Sequence, residues 1–410
     1  MQKASNYLLD DVRAAFPIMA QKVNGHPFVY LDTAATAQKP QIVIDAIANF
    51  YSKSYATVNR AIYTLSSQAT SEYWKVREKV LKFLGAEEQY VAVFTSGTTE
   101  SINIVAQSFV SQFLQCDDEV IVFASEHHSN LVPWQMAQKR LGIALKVLPI
   151  LPSGDIDIAE FERSLSSKTK LVSFAHISNV TGAIHPAEEV CAICRKRGIY
   201  TLIDGAQSAG HIPVKIDQIG CDFFAFSGHK LYGPTGIGVL IGKQSLLSEM
   251  PPMYGGGDMI ESVSFDRAAY AEAPQKFEAG TPRTAQVYGL GAAVDFLSSI
   301  GIEAIEAHEL ELMSFLVREL EKIPKLKVIG QPKHRSAIIS FVLDGIHSLD
   351  LASLLDAKGI ALRSGHLCAE PYLSSVGTPH VARISLGVYT TQSDLEKALT
   401  EICNLISNEV

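Results

Sequence analysis

The sequence has 410 residues, of which 47% are hydrophobic, and its 43 acidic and 35 basic residues give a formal net charge of −8. A chain of this length exceeds one hydrophobic core and indicates two domains, or three. The acidic balance, with no run of basic residues, disfavours nucleic-acid binding. The longest apolar stretches are too short to span a membrane as helices. Because the N-terminus shows no apolar signal region, a cytoplasmic protein is expected.

The predicted elements divide the chain into three parts. Residues 1–24 form an N-terminal segment, with a helix near 8–15, that is expected to pack on a small C-terminal domain. Residues 25–290 alternate amphipathic segments with apolar runs typical of buried parallel strands. These runs lie at 90–94, 119–123, 171–175, 200–203, 222–226 and 238–241. The pattern predicts a large α/β/α domain of three layers with a mainly parallel sheet.

The first candidate site lies between Val93 and Ser101, where a strand runs through a glycine turn into a helix. Backbone N–H groups at the helix start, with the hydroxyls of Thr98 and Thr99, suit an anion. An ordinary helix cap explains the same residues equally well. Because the glycine spacing of nucleotide and dinucleotide loops is missing, the phosphate of pyridoxal phosphate is the favoured ligand.

Cys191 and Cys194 form a C-x-x-C pair, which is a candidate for redox chemistry or zinc binding. They lie inside a predicted helix that begins after Pro186 and ends at Gly198. Mid-helix thiols lack the helix N-terminus that lowers a thiol pKa, and no second pair completes a zinc site. Core packing is therefore the favoured interpretation.

The strongest signal is a carboxylate and a lysine at the ends of successive apolar runs. Asp204 ends the first run, and Lys230 follows the second in Ser227-Gly228-His229-Lys230. A pyridoxal phosphate enzyme needs such a lysine to bind the cofactor aldehyde and a carboxylate to keep the pyridine nitrogen protonated. Ser227 and His229 could donate to the cofactor phosphate. Taken singly, Asp204 fits a turn and Lys230 a solvated loop.

Beyond Gly289 the pattern indicates a smaller α+β domain over residues 291–410. Helices are predicted near 291–299, 302–322 and 392–406, and strands at 337–341 and 382–386. The preceding stretch from Gly255 to Pro282 is predicted to be an irregular functional loop.

Four motifs, taken in this order, resemble the SufS-type (group II) cysteine desulfurases. That family includes selenocysteine lyases and belongs to the class V aminotransferase superfamily, with the PLP-dependent transferase fold type I. The resemblance extends from Tyr30 to Ser385. The motifs are Thr95-Ser96-Gly97-Thr98-Thr99-Glu100, Asp204-Gly205-Ala206-Gln207-Ser208, Ser227-Gly228-His229-Lys230 and Arg363-Ser364-Gly365-His366-Leu367-Cys368-Ala369.

The resemblance implies a set of residues for the cofactor, pyridoxal 5′-phosphate. Lys230 would bind it covalently, Asp204 would pair with its pyridine nitrogen, and His127 would stack on its ring. His127 is also expected to be a catalytic proton shuttle with a pKa near neutrality, while a metal site with His128 is disfavoured. The remaining predicted cofactor ligands are Thr98, Thr99, Ser227 and His229 at the phosphate, Gln207 and Asn179 at the phenolic oxygen, and Thr281 from a neighbouring subunit.

The resemblance likewise implies how the substrate binds. Arg383 would clamp the substrate carboxylate, although a structural ion pair is an alternative for this residue. Asn179 and Arg363 would also contact the substrate. Arg60 would reach the site of the neighbouring subunit in a homodimer.

The implied reaction converts L-cysteine to L-alanine and leaves the sulfur on Cys368 as a persulfide. A SufE- or SufU-type acceptor would then drain the persulfide for iron–sulfur cluster assembly. Arg363 near Cys368 would favour the thiolate, which is the reactive form, whereas an arbitrary cysteine is more often a buried hydrophobe. Asn59, Tyr63 and Leu367 replace histidines common in the family, which bears on proton transfer and acceptor docking.

Other functions remain open on the sequence alone. L-Selenocysteine fits the same site, so a selenocysteine lyase or another class V enzyme is an alternative. A scaffold without catalysis is disfavoured because Lys230, Asp204, His127 and Cys368 occur together.

Overall fold

A seven-stranded sheet forms the centre of the computed structural model, which describes residues 11–407 apart from residue 87. The sheet contains the six apolar runs predicted as strands within residues 25–290 and one further strand at its edge. In spatial order the strands are Tyr90–Thr95, Gly238–Lys243, Phe223–Ser227, Tyr200–Asp204, Thr169–Ala175, Glu119–Phe123 and Ala144–Leu148.

The strand directions determine where side chains can meet. The last five strands of this order are mutually parallel, and Gly238–Lys243 is antiparallel to both of its neighbours. In the register between neighbours, Asp204 lies opposite Ala225. Parallel strands end at the same edge of a sheet, so Asp204 and the turn after Ser227 lie side by side.

Alternate residues of the strands enter two different cores, so both faces of the sheet are buried. Val172, Ile203 and Phe224 lie in one cluster, whereas Leu171 and Leu202 lie in the other. This two-sided burial explains why the strands are continuously apolar in sequence. Successive side chains of a strand point to opposite faces of the sheet, so both faces need a covering layer. The predicted three-layer α/β arrangement is confirmed.

The helices of the chain lie on both faces of this sheet and in the C-terminal part. Two of them flank a π-helical turn, Val105–Phe109. The α-helices are Gln41–Asn49, Thr64–Phe83, Thr98–Ile104, Val110–Phe113, Val132–Leu141, Ile158–Ser164, Ala187–Lys196, Ile216–Ile219, Gln244–Glu249, Thr284–Ile300, Ile302–Leu320, Ser348–Asp356, Glu370–Ser375 and Gln392–Ser407.

A second, antiparallel sheet forms the C-terminal part. Its strands, in spatial order, are Leu326–Ile329, Ile338–Leu343, Val381–Ser385 and Arg363–Gly365. Leu316, Leu355 and Leu395, from three helices, share one buried cluster with Ile339 and Ile384 of the sheet. Beside this sheet, Ile360–Ala361 pairs with Val29–Tyr30, which ties the start of the chain to its end.

The N-terminal segment contacts both parts of the molecule. Residues 1–10 lie outside the described residues; of the helix predicted near 8–15, residues 11–14 are described and are helical. Arg13 forms an ion pair of 2.8 Å with Asp394 of the last helix. The centroid of the Phe16 ring lies 4.9 Å from that of Tyr389, in the C-terminal part, and 5.9 Å from that of Tyr232, which follows the strand Phe223–Ser227 of the large sheet. The divisions at residues 24 and 290 stay predictions, and the helix Thr284–Ile300 runs through the second one.

Two further expectations meet different outcomes. Cys191 and Cys194 are buried in the helix Ala187–Lys196, and burial raises the pKa of Cys191 to about 12, which suits packing. The stretch predicted as an irregular loop contains a hairpin, Ile260–Val263 with Ala268–Tyr270. The side chains of both strands are mostly exposed. The sequence therefore shows no alternation of apolar and polar residues that would predict these strands.

Among the described residues, no single helix is long and apolar enough to cross a bilayer. The pair Thr284–Ile300 and Ile302–Leu320, bent by 73°, meets the criteria of length and composition only when the two are taken together.

Candidate active site

A cavity of about 510 Å³ lies where the carboxyl ends of the parallel strands meet the C-terminal sheet. It brings together residues from nine separate stretches of the sequence, between Ala34 and Arg383. Of the predicted site residues, it is lined by Thr98, Thr99, His127, Asn179, Asp204, Gln207, Ser227, His229, Lys230, Arg363, Cys368 and Arg383.

Lys230 and Asp204 face this cavity from neighbouring strand ends. Lys230 ends the short 3₁₀ turn Gly228–Lys230, directly after its strand. Removal from water lowers the pKa of Lys230 to about 8, with Asp204 opposing the shift. Burial raises the pKa of Asp204, against the effects of the Ala206 N–H donor at 2.9 Å and of Lys230. Lys230 therefore offers a neutral amine, the nucleophilic form, much nearer physiological pH than an exposed lysine does.

Hydroxyl and backbone N–H groups converge at the predicted phosphate position. The Thr98 N–H donates to Ser227 Oγ at 2.8 Å, and the two hydroxyls lie 2.7 Å apart. His229 Nδ1 lies 3.1 Å from the hydroxyl of Thr36, a contact that the sequence did not indicate. The backbones of Gly97 and Gly238 approach each other closely here, since a Cβ on Gly238 would lie 2.4 Å from the backbone of Gly97. Such a group of donors suits a phosphate.

His127 is fixed by Ser129. Its Nδ1 accepts the Ser129 N–H at 3.1 Å and lies 2.7 Å from the Ser129 hydroxyl. Burial, followed by the charge of Lys230, lowers the pKa of His127 to about 3. The expectation of a pKa near neutrality is therefore wrong, because that expectation neglected burial. His127 is a neutral imidazole that carries its proton on Nε2.

The cavity fits pyridoxal phosphate in its chemistry. A lysine amine, a buried carboxylate, a neutral aromatic imidazole and a set of phosphate donors all face one space. Gln207 adds an amide whose nitrogen donates to Ala34 O at 2.8 Å. Its Oε1 is buried without a partner among the residues that the structure describes, so it has capacity for a bound group.

The loop that carries Cys368 is held by hydrogen bonds on both sides of the thiol. Asn179 donates to Leu367 O and His128 N–H to Cys368 O, each at 2.7 Å. The Cys368 N–H donates to His366 Nδ1 at 3.1 Å. Leu367 and Cys368 both have left-handed backbones, with φ of 53° and 54°. These contacts hold an unusual backbone that directs an exposed thiol into the cavity mouth.

Leu367, one of the departures from the family pattern, is a packing residue. Its side chain is buried in a cluster with Val180, Tyr372, Leu373 and Val381. A histidine here would place a polar ring among apolar side chains. The sequence indicated the substitution but not its surroundings, which come from three separate elements.

Arg383 and Arg363 meet at one carboxylate, that of Asp32. Arg383 Nη2 lies 3.2 Å from Asp32 Oδ1, and Arg363 Nη2 lies 3.2 Å from Asp32 Oδ2. Arg383 is almost completely buried and also donates to Asn179 O at 3.0 Å. The ion pair considered as an alternative for Arg383 therefore exists, and it coexists with a position on the cavity wall.

Thr281 and Arg60 lie outside the cavity of their own chain. Both are exposed, and Arg60 Nε forms an ion pair of 2.9 Å with Asp258. Their expected place is the site of a second subunit, and this stays a prediction.

The sequence interpretation assigned no role to several residues at the site. Asp32 lies close to Tyr30, where the family resemblance begins, but neither its position at the site nor its partners were indicated. His128 is next to His127, and His366 lies two residues before Cys368. Their rings stack with centroids 5.7 Å apart. His128 Nε2 also accepts the Glu370 N–H at 3.2 Å. Among the described residues, no cluster of three or more metal-ligating side chains occurs.

Comparisons with known proteins agree with this geometry. Residues 29–398 match the family model described as aminotransferase class-V. The chain is 45% identical over 393 residues to a cysteine desulfurase of Serratia proteamaculans, covering 96% of this chain and 97% of that protein.

Solved structures give the same result. The cysteine desulfurase CsdA of Escherichia coli, in its S-sulfonic acid form, has a TM-score of 0.90 at 38% identity. The apo cysteine desulfurase of Thermococcus onnurineus NA1 has a TM-score of 0.92 at 34% identity. Each alignment covers 97% of this chain and 98% of the other.

Proposed function

The chain belongs to the class V aminotransferase family and is a cysteine desulfurase with pyridoxal phosphate as its cofactor; from this premise we propose that Cys368 is the residue that takes the sulfur. One observation carries the proposal: Cys368, Lys230 and Arg383 line the same cavity. They come from different elements, and each supplies a group that the reaction requires.

In this proposal, different residues bind the substrate's carboxylate and remove its α-proton. Arg383 holds the α-carboxylate of L-cysteine, which orients the amino acid in the cavity. When bound, pyridoxal phosphate withdraws electrons from the α-carbon of the amino acid joined to it. Lys230 Nζ, with its lowered pKa, takes the α-proton and returns a proton later. His127 stays neutral and holds a proton on Nε2.

Sulfur transfer follows at Cys368. Its Sγ attacks the sulfur of the substrate, so that an S–S bond forms while the bond between the substrate's Cβ and sulfur breaks. The electron pair stays with the carbon, which is protonated to give L-alanine. The products, L-alanine and a Cys368 persulfide, balance one L-cysteine and one thiol.

We further propose that a SufE- or SufU-type protein accepts this sulfur for iron–sulfur cluster assembly. The exposure of Cys368 supports transfer to a second protein, because the thiol is accessible without opening the core. Selenocysteine lyase activity is the alternative, since selenium can leave through the same steps. Parallel turnover of L-cysteine and L-selenocysteine distinguishes the two.

A homodimer is part of the proposal. Ile62 and Tyr63, close to Arg60, are exposed apolar side chains, and Val263 and Phe265 are exposed on the hairpin that follows Asp258. Exposed apolar side chains in one region indicate a covered surface. We also propose a cytoplasmic location, since all six cysteines are free and such thiols persist in a reducing compartment; cell fractionation tests this.

The test uses holoenzyme and measures L-alanine formed from L-cysteine, with and without a reductant and a candidate acceptor. Cys368→Ser should lower alanine formation at least about a hundredfold, because no thiol remains to take the sulfur. The cofactor absorbance should persist. A sulfur acceptor should accelerate alanine formation by the wild-type enzyme but not by Cys368→Ser.

Cys116→Ser and Cys403→Ser are matched controls, since both cysteines are also free and exposed but lie outside the cavity. Wild-type rates are expected for both. Undiminished alanine formation by Cys368→Ser would refute the assignment of the nucleophile.

A further inference from the structure

Two arginines are directly opposite each other in the C-terminal sheet. Arg363 and Arg383 are Cα partners in the antiparallel pair of Arg363–Gly365 with Val381–Ser385. Side chains at paired positions lie on the same face, and like charges placed there repel. Arg383 is almost completely buried, whereas 49% of the Arg363 side chain is exposed, so water weakens this repulsion only in part.

Asp32 relieves the repulsion from a third element. It follows the strand Val29–Tyr30 and divides its two carboxylate oxygens between the two guanidinium groups, each at 3.2 Å. Burial lowers the pKa of Arg383, and the charge of Asp32 opposes that shift. Asp32 itself is mostly buried, with 14% of its side chain exposed. It does not line the cavity, whereas Arg363 and Arg383 do, so it acts on a bound substrate through these two arginines.

The charges at this end of the cavity can be counted. Two guanidinium groups and one carboxylate leave a single net positive charge, which one α-carboxylate of a substrate neutralises. Without Asp32, two positive charges would face the substrate, and a second carboxylate would be attracted. Lys230 and Asp204, the other charged residues nearby, are opposite in sign and therefore leave this net charge unchanged.

We infer that Asp32 is a specificity-determining residue that restricts the site to amino acids with one carboxylate. It does so by neutralising one of the two arginines, so that a dicarboxylic amino acid gains nothing from its second charge. This inference rests on the proposed role of Arg383 as the carboxylate clamp. It adds a selection by charge to that role.

The experiment measures binding by calorimetry, with holoenzyme and two probes, L-alanine and L-aspartate. Asp32→Asn should shift the ratio of the two dissociation constants about tenfold in favour of L-aspartate, a modest value for one additional positive charge that is partly exposed. Asp32→Glu retains the charge and should restore the wild-type ratio. Raising the ionic strength should diminish the shift.

A double variant separates charge from positioning. Asp32→Asn combined with Arg363→Gln restores a single net positive charge, so the wild-type ratio should return. This double variant also spares the fold an unpaired guanidinium group beside Arg383, so it tests the inference even if the single variant accumulates poorly. If Asp32 merely orients Arg383, the double variant stays as perturbed as the single one, and the inference is wrong.

The controls keep this test independent of the proposed function. Asp222→Asn breaks an ion pair of 2.7 Å with Lys243, and Asp222 has a similar exposure of 13%. It lies outside the cavity, so the ratio should stay unchanged. Arg383→Lys should weaken both probes; if it weakens neither, the clamp role fails. An unchanged ratio in Asp32→Asn, with the clamp intact, overturns the inference about Asp32 alone.

Discussion

At the scale of single residues, burial changes what a side chain can do at neutral pH. Lys230 is brought towards the neutral form and His127 is held in it, both chiefly because they are removed from water. Sequence reasoning identified both residues, but it judged His127 by its pKa in water. Burial depends on the fold around a residue, so neither shift could be derived from the sequence.

The shift at Lys230 predicts a pH dependence for cofactor uptake. Only the neutral amine attacks an aldehyde, and a pKa lowered to about 8 makes that form abundant above this pH. The rate at which apoenzyme binds added pyridoxal phosphate should therefore rise with pH and level off above a midpoint near 8. Stopped-flow absorbance measures this rate.

An unperturbed lysine would instead give a midpoint near the ordinary value of about 10.4. A midpoint that high would contradict the assigned environment of Lys230. Lys230→Ala serves as the control, because it should bind the cofactor without the slow absorbance change of covalent attachment.

At the scale of elements, one loop holds the two sheets together. Residues 177–184 follow the strand Thr169–Ala175, and Ser340 and Arg335 donate to their carbonyl groups, Val180 O and Thr181 O, each at 2.6 Å. The Gly182 backbone is left-handed, with φ of 72°, and a Cβ there would lie 2.2 Å from Ile338 O. The loop therefore requires glycine for both its conformation and its contact.

Gly182→Ala should cost about 3 kcal/mol or more of the free energy of unfolding, because a backbone carbonyl cannot yield as a side chain can. Gly198→Ala is the matched control. Its φ is 68° and nothing lies within 4 Å of the added Cβ, so it should cost only about 1 kcal/mol. Urea unfolding of the two variants measures the difference; equal losses would show that the contact with Ile338 is unimportant.

The elements also show how far the sequence alone could predict the structure. Continuous apolar runs identified the buried strands, because burial on both faces removes polar residues. The strand Ala144–Leu148 was missed since it lies at the sheet edge and is only partly buried. Motifs located most cavity residues, yet the contacts of Asp32 with Arg363 and Arg383 join positions more than 300 residues apart, which no local pattern reveals.

At the scale of the whole molecule, the proposed dimer predicts complementation between two inactive variants. If Arg60 acts in the neighbouring subunit, mixed dimers of Lys230→Ala and Arg60→Ala contain one site with both residues intact. Random pairing should then restore about a quarter of wild-type alanine formation, because half of the dimers are mixed and each has one complete site.

The same mixture made with Arg383→Ala in place of Arg60→Ala is the control. Arg383 lines the cavity of its own chain, so mixing should restore nothing. Full activity of Arg60→Ala by itself, or no recovery on mixing, would contradict the predicted place of Arg60.

The single antiparallel strand of the large sheet has a consequence for biosynthesis. Tyr90–Thr95 joins that sheet only through Gly238–Lys243, so Thr98 and Ser227 are brought together late. During translation, the binding site for pyridoxal phosphate therefore stays incomplete until residue 243 has left the ribosome. A nascent polypeptide truncated before this strand should therefore fail to retain pyridoxal phosphate.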